Sequence, residues 1–183
     1  MKNNQLSLYL AARGQMRTGD LLQWKSNSLL GAAIRLKTQK DRREHEVEND
    51  INVNHSSLAI CLTEKESGDL RMHTNEAMGG GTIPAFLSVR LQQYNGSVWW
   101  YPLSDELDEQ RIGIGRRAFE NLGIGYDYWA IAKQLFGIHP KIDGSRLYCN
   151  EYCCVCWGIK GATAKSPNWL PNLGIFKEPV RII

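Results

Sequence analysis

A thiol and an imidazole are the smallest side-chain set for nucleophilic catalysis. This chain offers Cys149, in Leu147-Tyr148-Cys149-Asn150-Glu151-Tyr152, and, far upstream, His55, which opens the run His55-Ser56-Ser57-Leu58-Ala59-Ile60. A cysteine attacks as its thiolate, and a free thiol titrating at about 8.5 is mostly protonated at neutral pH, so it needs a base or a helix N-terminus beside it. No proline or glycine interrupts residues 150 to 157. A helix starting near Cys149 would therefore aim its positive end at the sulfur, and its N–H groups would form half an oxyanion hole. His55 is the candidate base, and Glu76 the candidate carboxylate that fixes the imidazole tautomer and stabilises the imidazolium.

Each residue has a plainer reading when taken alone. Cys149 would be a small buried hydrophobe, His55 a hydrogen-bonded strand-end histidine, and Glu76 a solvated carboxylate. Their joint placement favours the catalytic reading. Asn75 and His73 compete for the third position, but strand alternation puts Glu76 and Thr74 on one face and Asn75 and His73 on the other.

The elements that must position these groups read as follows. Asp20 to Trp24 is a short strand, and Ser28 caps a helix whose apolar positions Leu29, Leu30, Ala33 and Ile34 share a face. The mixed-sign run Lys37 to Asp50 lacks apolar periodicity, so it is expected as a solvated loop or helix end, perched as a candidate lid over a cleft. Ser56 to Leu62 has the length of a buried strand, and the turn Ser67-Gly68-Asp69 leads into a second strand from Leu70 to Ala77. Gly79-Gly80-Gly81 is a turn toward a helix from Phe86 to Tyr94. Ser97 to Pro102 is a strand in which Trp99, Trp100 and Tyr101 divide between core and surface rather than line a groove. A helix from Ser104 to about Leu122 follows, weakened by Gly113 and Gly115. Asp127 then caps a helix from Tyr128 to Phe136 that stops at Gly137 and Pro140, and an Asp143-Gly144 turn delivers the chain to Cys149. The segment Ser166 to Pro171 is a proline-bearing return across the surface toward Val180 to Ile183. Strands near 20, 56, 70 and 97 with helices around them make one α+β domain over residues 1–183.

Metal binding is the competing chemistry. Cys153 and Cys156 have C-x-x-C spacing, with Cys149, Cys154, His139 and His73 as conceivable further ligands. A structural zinc site normally brings a second ligand pair at comparable spacing, and none is present. Cys153, Cys154 and Cys156 therefore read as packing residues, and no cofactor is implied.

Composition narrows the setting. Lys plus Arg exceed Asp plus Glu by only 22 to 19, with no basic block, so nucleic acid is not an expected partner. The N-terminal apolar stretch is broken by Ser7 and is too short for a secretory segment, and no run approaches a membrane span. Four of five cysteines crowd positions 149 to 156, which suits a reducing interior, and the cytoplasm is the expected compartment.

Five elements, in order, resemble a known family. They are Gly19-Asp20-Leu21-Leu22, His55 to Ile60, Asn75-Glu76-Ala77, Tyr126-Asp127-Tyr128 and Tyr148 to Tyr152, and they resemble the permuted papain-like branch of the NlpC-type cysteine hydrolases, which includes the YiiX-type and YebB-type proteins. In papain the thiol precedes the histidine; here the histidine comes first. The resemblance implies a circularly permuted papain-like fold, a small antiparallel sheet packed against helices. It implies Cys149 as nucleophile, His55 as general base and Glu76 as orienting residue, acting on an amide or ester of a peptide or lipid-linked small substrate. Trp24, Tyr126 and Asp127 are the candidate substrate-contacting residues. Asn54 before the histidine and Asn150 after the cysteine stand where the family often has serine. The alternative is a non-catalytic ligand-binding or structural protein that keeps this fold.

Overall fold

The computed structural model describes residues 6–63, 70–127, 146–159 and 166–183. The expected Ser67-Gly68-Asp69 turn, the helix from Tyr128 to Phe136 with its stop at Gly137 and Pro140, the Asp143-Gly144 turn and His139 lie outside these residues. In chain order the described elements are α1 (Ser7–Ala12), β1 (Leu21–Ser26), α2 (Leu29–Thr38), α3 (Glu44–Glu48), β2 (His55–Thr63), β3 (Leu70–Met78), β4 (Gly81–Phe86), α4 (Leu87–Gln93), β5 (Gly96–Tyr101), α5 (Arg111–Glu120), β6 (Gly125–Tyr126), β7 (Arg146–Leu147), α6 (Cys149–Trp157) and β8 (Val180–Arg181).

Six of the strands form one sheet in the order β4-β3-β2-β1-β5-β8, with every neighbouring pair antiparallel. The short pair β6 and β7 is parallel. The chain is thus a mixed fold whose main sheet is antiparallel and carries helices on both faces.

Side-chain alternation at period two sorts the strands onto two cores. Leu21, Leu58, Ile60, Ala77 and Tyr101 bury against α6, whose Tyr152, Cys153 and Cys156 belong to the same cluster. Leu22, Trp24, Ala59, Met72, Val98 and Trp100 bury on the opposite face with Tyr9 of α1 and Leu87 and Leu91 of α4. The aromatic run of β5 is therefore wholly buried, divided between two cores rather than between core and solvent. Each large apolar side chain removed from water contributes about 1.5–3 kcal/mol.

Asp20, just before β1, ties the domain together. Its buried carboxylate accepts from Trp100 Nε1 at 2.8 Å, Leu103 N at 3.0 Å, Arg17 N at 2.9 Å and Arg111 Nη1 at 2.8 Å. Gly19 beside it holds φ at +94°, a conformation glycine adopts without strain, and its carbonyl accepts from Trp157 Nε1 at 2.9 Å. The Gly-Asp-Leu-Leu element is thus a structural hub that anchors the end of α6.

Five further expectations change. The glycine run turns the chain into an extra strand, β4, whose Pro84 is tolerated because β4 is the sheet edge and a missing N–H there breaks no ladder. The segment after Ser104 begins as a 3-10 turn over Asp105–Gln110, with no side-chain cap from Ser104, and becomes α-helical only at Arg111. The charged run after α2 contributes no side chain to the cleft at His55. It folds into α3, whose buried Glu46 accepts from Tyr101 OH at 2.8 Å. The Ser166–Pro171 return is buried rather than superficial: Pro167, Asn168, Leu170 and Pro171 are enclosed, and Gln23 Nε2 donates to Pro167 O at 2.8 Å.

The fifth concerns α2. Ser28 caps it as expected, accepting from Gly31 N at 3.0 Å, but the buried positions are Gly31 and Thr38, and Leu29 is 92% exposed. The helix is held by polar groups instead. Arg35 Nη1 donates to Ser26 O, and Thr38 Oγ1 accepts from Asn168 Nδ2 at 2.8 Å, while Asn168 Oδ1 accepts from Val53 N at 2.8 Å. Among the described residues no helix is long and apolar enough to cross a membrane.

Candidate active site

His55 is the first residue of β2 and pairs with Trp24 of β1, so its imidazole stands at the open end of the sheet. Glu76 lies on β3, one strand over and on the same face. The antiparallel register brings its carboxylate to the imidazole, with His55 Nε2 2.9 Å from Glu76 Oε2. Neither Asn75 nor His73 takes this position: Asn75 is fully buried on the α6 side, and the His73 ring stacks at 4.5 Å on Phe86. With Nε2 held by Glu76, Nδ1 is the nitrogen left for the thiol.

Cys149 is the first residue of α6, so its sulfur lies at the positive end of a nine-residue helix. Gly158, in the left-handed region at φ +79°, ends that helix. The Cys149 thiol is within hydrogen-bonding distance of Asn150 Oδ1, at 3.3 Å, and also engages His55. Burial opposes a charge on His55, but hydrogen bonds and charge attraction from Cys149 and Glu76 outweigh it and raise the imidazole to about 9. The imidazole keeps 14% of its side-chain surface exposed. Burial also works against ionised Glu76, yet its contacts with His55 and Arg90 prevail and hold the carboxyl below the ordinary carboxylate value. The site therefore holds an imidazolium and a carboxylate side by side at neutral pH.

Arg90 is the residue the sequence did not flag. From α4 it places Nε 3.0 Å from Glu76 Oε1, and its guanidinium lies 5.0 Å from the Trp24 ring centre and 5.1 Å from that of Tyr94. Its one sequence signal is position: it sits between Leu87 and Leu91, the buried residues of α4.

A cleft of about 470 Å³ opens at His55 and Arg90, lined also by Met78, Leu30, Ile34 and Tyr126, while Cys149 and Glu76 lie behind its wall. Tyr126 both lines the cleft and packs against the Cys149–Tyr148 pair, leaving the cysteine only 5% exposed. The other two candidate substrate contacts lie elsewhere. Trp24 has no exposed surface, because its ring belongs to the core behind His55 and its Nε1 donates to Ser57 Oγ at 2.8 Å. Asp127 is half-buried beside the first turn of α6. Burial is the main force pushing Glu151 up to about 7, and the charge of Asp127 adds to it.

The other α6 cysteines are chemically quiet. All are free thiols in the core, and burial pushes Cys154 and Cys156 to about 12 and Cys153 well above its ordinary value. Among the described residues no cluster of three or more His, Cys, Asp or Glu side chains is placed to hold a metal ion.

No protein-family model matches this chain, and no curated protein matches it in sequence.

Proposed function

We propose that the protein is a cysteine hydrolase of the permuted papain-like, NlpC-like kind, cleaving an amide or ester through a thioester at Cys149. The observation that carries this reading is the His55–Glu76 bond of 2.9 Å, with Cys149 engaging the same imidazole from the start of α6. With the thiol proton held on His55 as the imidazolium, the sulfur bonds to the substrate carbonyl carbon, and the Cys149 N–H faces the developing oxyanion. His55 then protonates the leaving amine or alcohol as the carbon–nitrogen or carbon–oxygen bond breaks. Water, deprotonated by His55, next attacks the thioester carbonyl; the acid leaves, and the proton returns to the Cys149–His55 pair.

The substrate class is a peptide or lipid-linked small molecule, and no cofactor enters the scheme. Five free thiols favour a reducing compartment, for which the cytoplasm is the proposal.

The test is mass spectrometry of the protein mixed with a panel of peptide amides and acyl esters. An acyl adduct on Cys149 in wild type, absent along with turnover in Cys149→Ala, supports the reading. Equal turnover by Cys149→Ala and wild type on every hydrolysed substrate would sink it.

A further inference from the structure

The outward face of α2 is apolar, which is unusual for a helix on a protein exterior. Leu29 is 92% exposed and Leu36 70% exposed; they are seven residues apart and lie one above the other, with exposed Ala32 and Ala33 between them. Folding does not require this face, since α2 is fastened through Arg35, Thr38 and its Ser28 cap. Exposed cations, Lys37 and Lys40, follow at its C-terminal end, with half-buried Arg42 after them. Between Leu29 and Arg43 there are five Lys or Arg and a single acid, Asp41, whose Oδ2 is taken by Ser166 Oγ at 2.5 Å.

From this arrangement we infer that α2 docks on an anionic lipid surface, with Leu29 and Leu36 entering the acyl boundary and Lys37 and Lys40 meeting the headgroups. An exposed apolar stripe with lysines at its end is the pattern of an interfacial helix, and each lysine near an anionic leaflet adds to the attraction. A protein partner would be served by the apolar stripe alone; the cationic end is what selects the lipid. The adjoining flank of the same helix, Leu30 and Ile34, lines the cleft that holds His55. Docking through α2 therefore sets the mouth of that cleft at the headgroup level.

Docking does not depend on the hydrolase reading, and alkylation of Cys149 in the same variants reports on the thiol separately. The experiment is sedimentation of the full chain with vesicles of equimolar phosphatidylglycerol and phosphatidylcholine, against vesicles of phosphatidylcholine alone. Wild type is expected to sediment with the anionic vesicles and to be released by salt near 1 M, where exposed charges are screened within about 3 Å. Leu29→Glu with Leu36→Glu should abolish binding, and Lys37→Glu with Lys40→Glu should weaken it at least tenfold. Because all four side chains are exposed, unchanged melting curves will show that the variants fold. Failure of wild type to bind anionic vesicles, or undiminished binding by the double leucine variant, overturns the inference. So does a concentration-dependent dimer in light scattering that the leucine changes dissolve, since a second copy would then cover α2.

Discussion

Arg90 and Glu76 form a two-point ion pair inside the fold: Nε lies 3.0 Å from Oε1 and Nη2 3.4 Å from Oε2. Glu76 is 1% exposed and Arg90 21%. Since Oε2 also meets His55, the guanidinium holds the carboxylate that holds the imidazole. Arg90→Gln should lower kcat/KM by up to about 100-fold through misplacement of the imidazole. Removing this cation also lets the Glu76 carboxyl rise, so the acid limb of the pH–rate profile should move to higher pH. Arg90→Lys keeps the charge but not the fork and should recover only part of the loss. A purely structural role for Arg90 would lower the folded fraction and leave the profile unmoved.

The raised His55 value links protonation to stability. A group whose value goes from 6.5 unfolded to about 9 folded stabilises the fold fully below pH 6.5 and loses that contribution as pH rises through 9. Its size is on the order of 3 kcal/mol. Urea unfolding of wild type at pH 6 and pH 9.5, referenced to His55→Gln, should show the wild-type advantage shrinking at the higher pH. NMR titration of the ring should show the midpoint falling in both Cys149→Ala and Glu76→Gln. An ordinary midpoint in wild type would break the proposed pairing.

A cationic imidazole beside a sulfur favours its thiolate. Iodoacetamide below pH 7 should therefore label Cys149 ahead of the four other cysteines and more slowly in His55→Ala, as read by peptide mass. Tyr126→Ala, which uncovers the sulfur, should speed the labelling several-fold. Labelling spread evenly over the cysteines would count against an activated thiol.

Asp20→Ala should destabilise the protein by about 3–5 kcal/mol, because it leaves buried donors and the Arg111 guanidinium without their shared acceptor. Arg111 retains Asp108 at 2.9 Å, which places the expected cost toward the lower end. Activity per folded molecule should be unchanged. Denaturant midpoints and active-site titration of Cys149 separate the two effects.

The strands were legible because their signal is local: Ser56 to Leu62 and Ser97 to Tyr101 are apolar or β-branched runs of strand length. β4 was hidden because Thr82-Ile83-Pro84 looks unlike a strand, and only its place at the edge makes the proline harmless. The outward face of α2 is hidden in the sequence for a related reason. Periodicity finds that Leu29 and Ala33 share a side, but it cannot say whether that side meets the core. His55, Glu76 and Cys149 could be named from residue type and flanks. Their distances required the β2–β3 register and the landing point of α6. Arg90 had no such flag, since an arginine near two leucines is common, and only folding reveals that its charge ends on a buried carboxylate. Trp24 went the other way: its ring is beside the histidine, but on the enclosed side.

All but one residue of α6 is buried, from Cys149 to Trp157. The Cys149 sulfur is consequently mounted on a buried part of the core rather than on a loop that can loosen by itself. Heating should therefore destroy the site and the tertiary structure in a single cooperative event, with no inactive but still folded species preceding the melt. Tolerance to change is divided along the same line: α2 can be rewritten on its outer face with little effect on the rest, whereas a methylene added inside α6 is transmitted directly to Cys149.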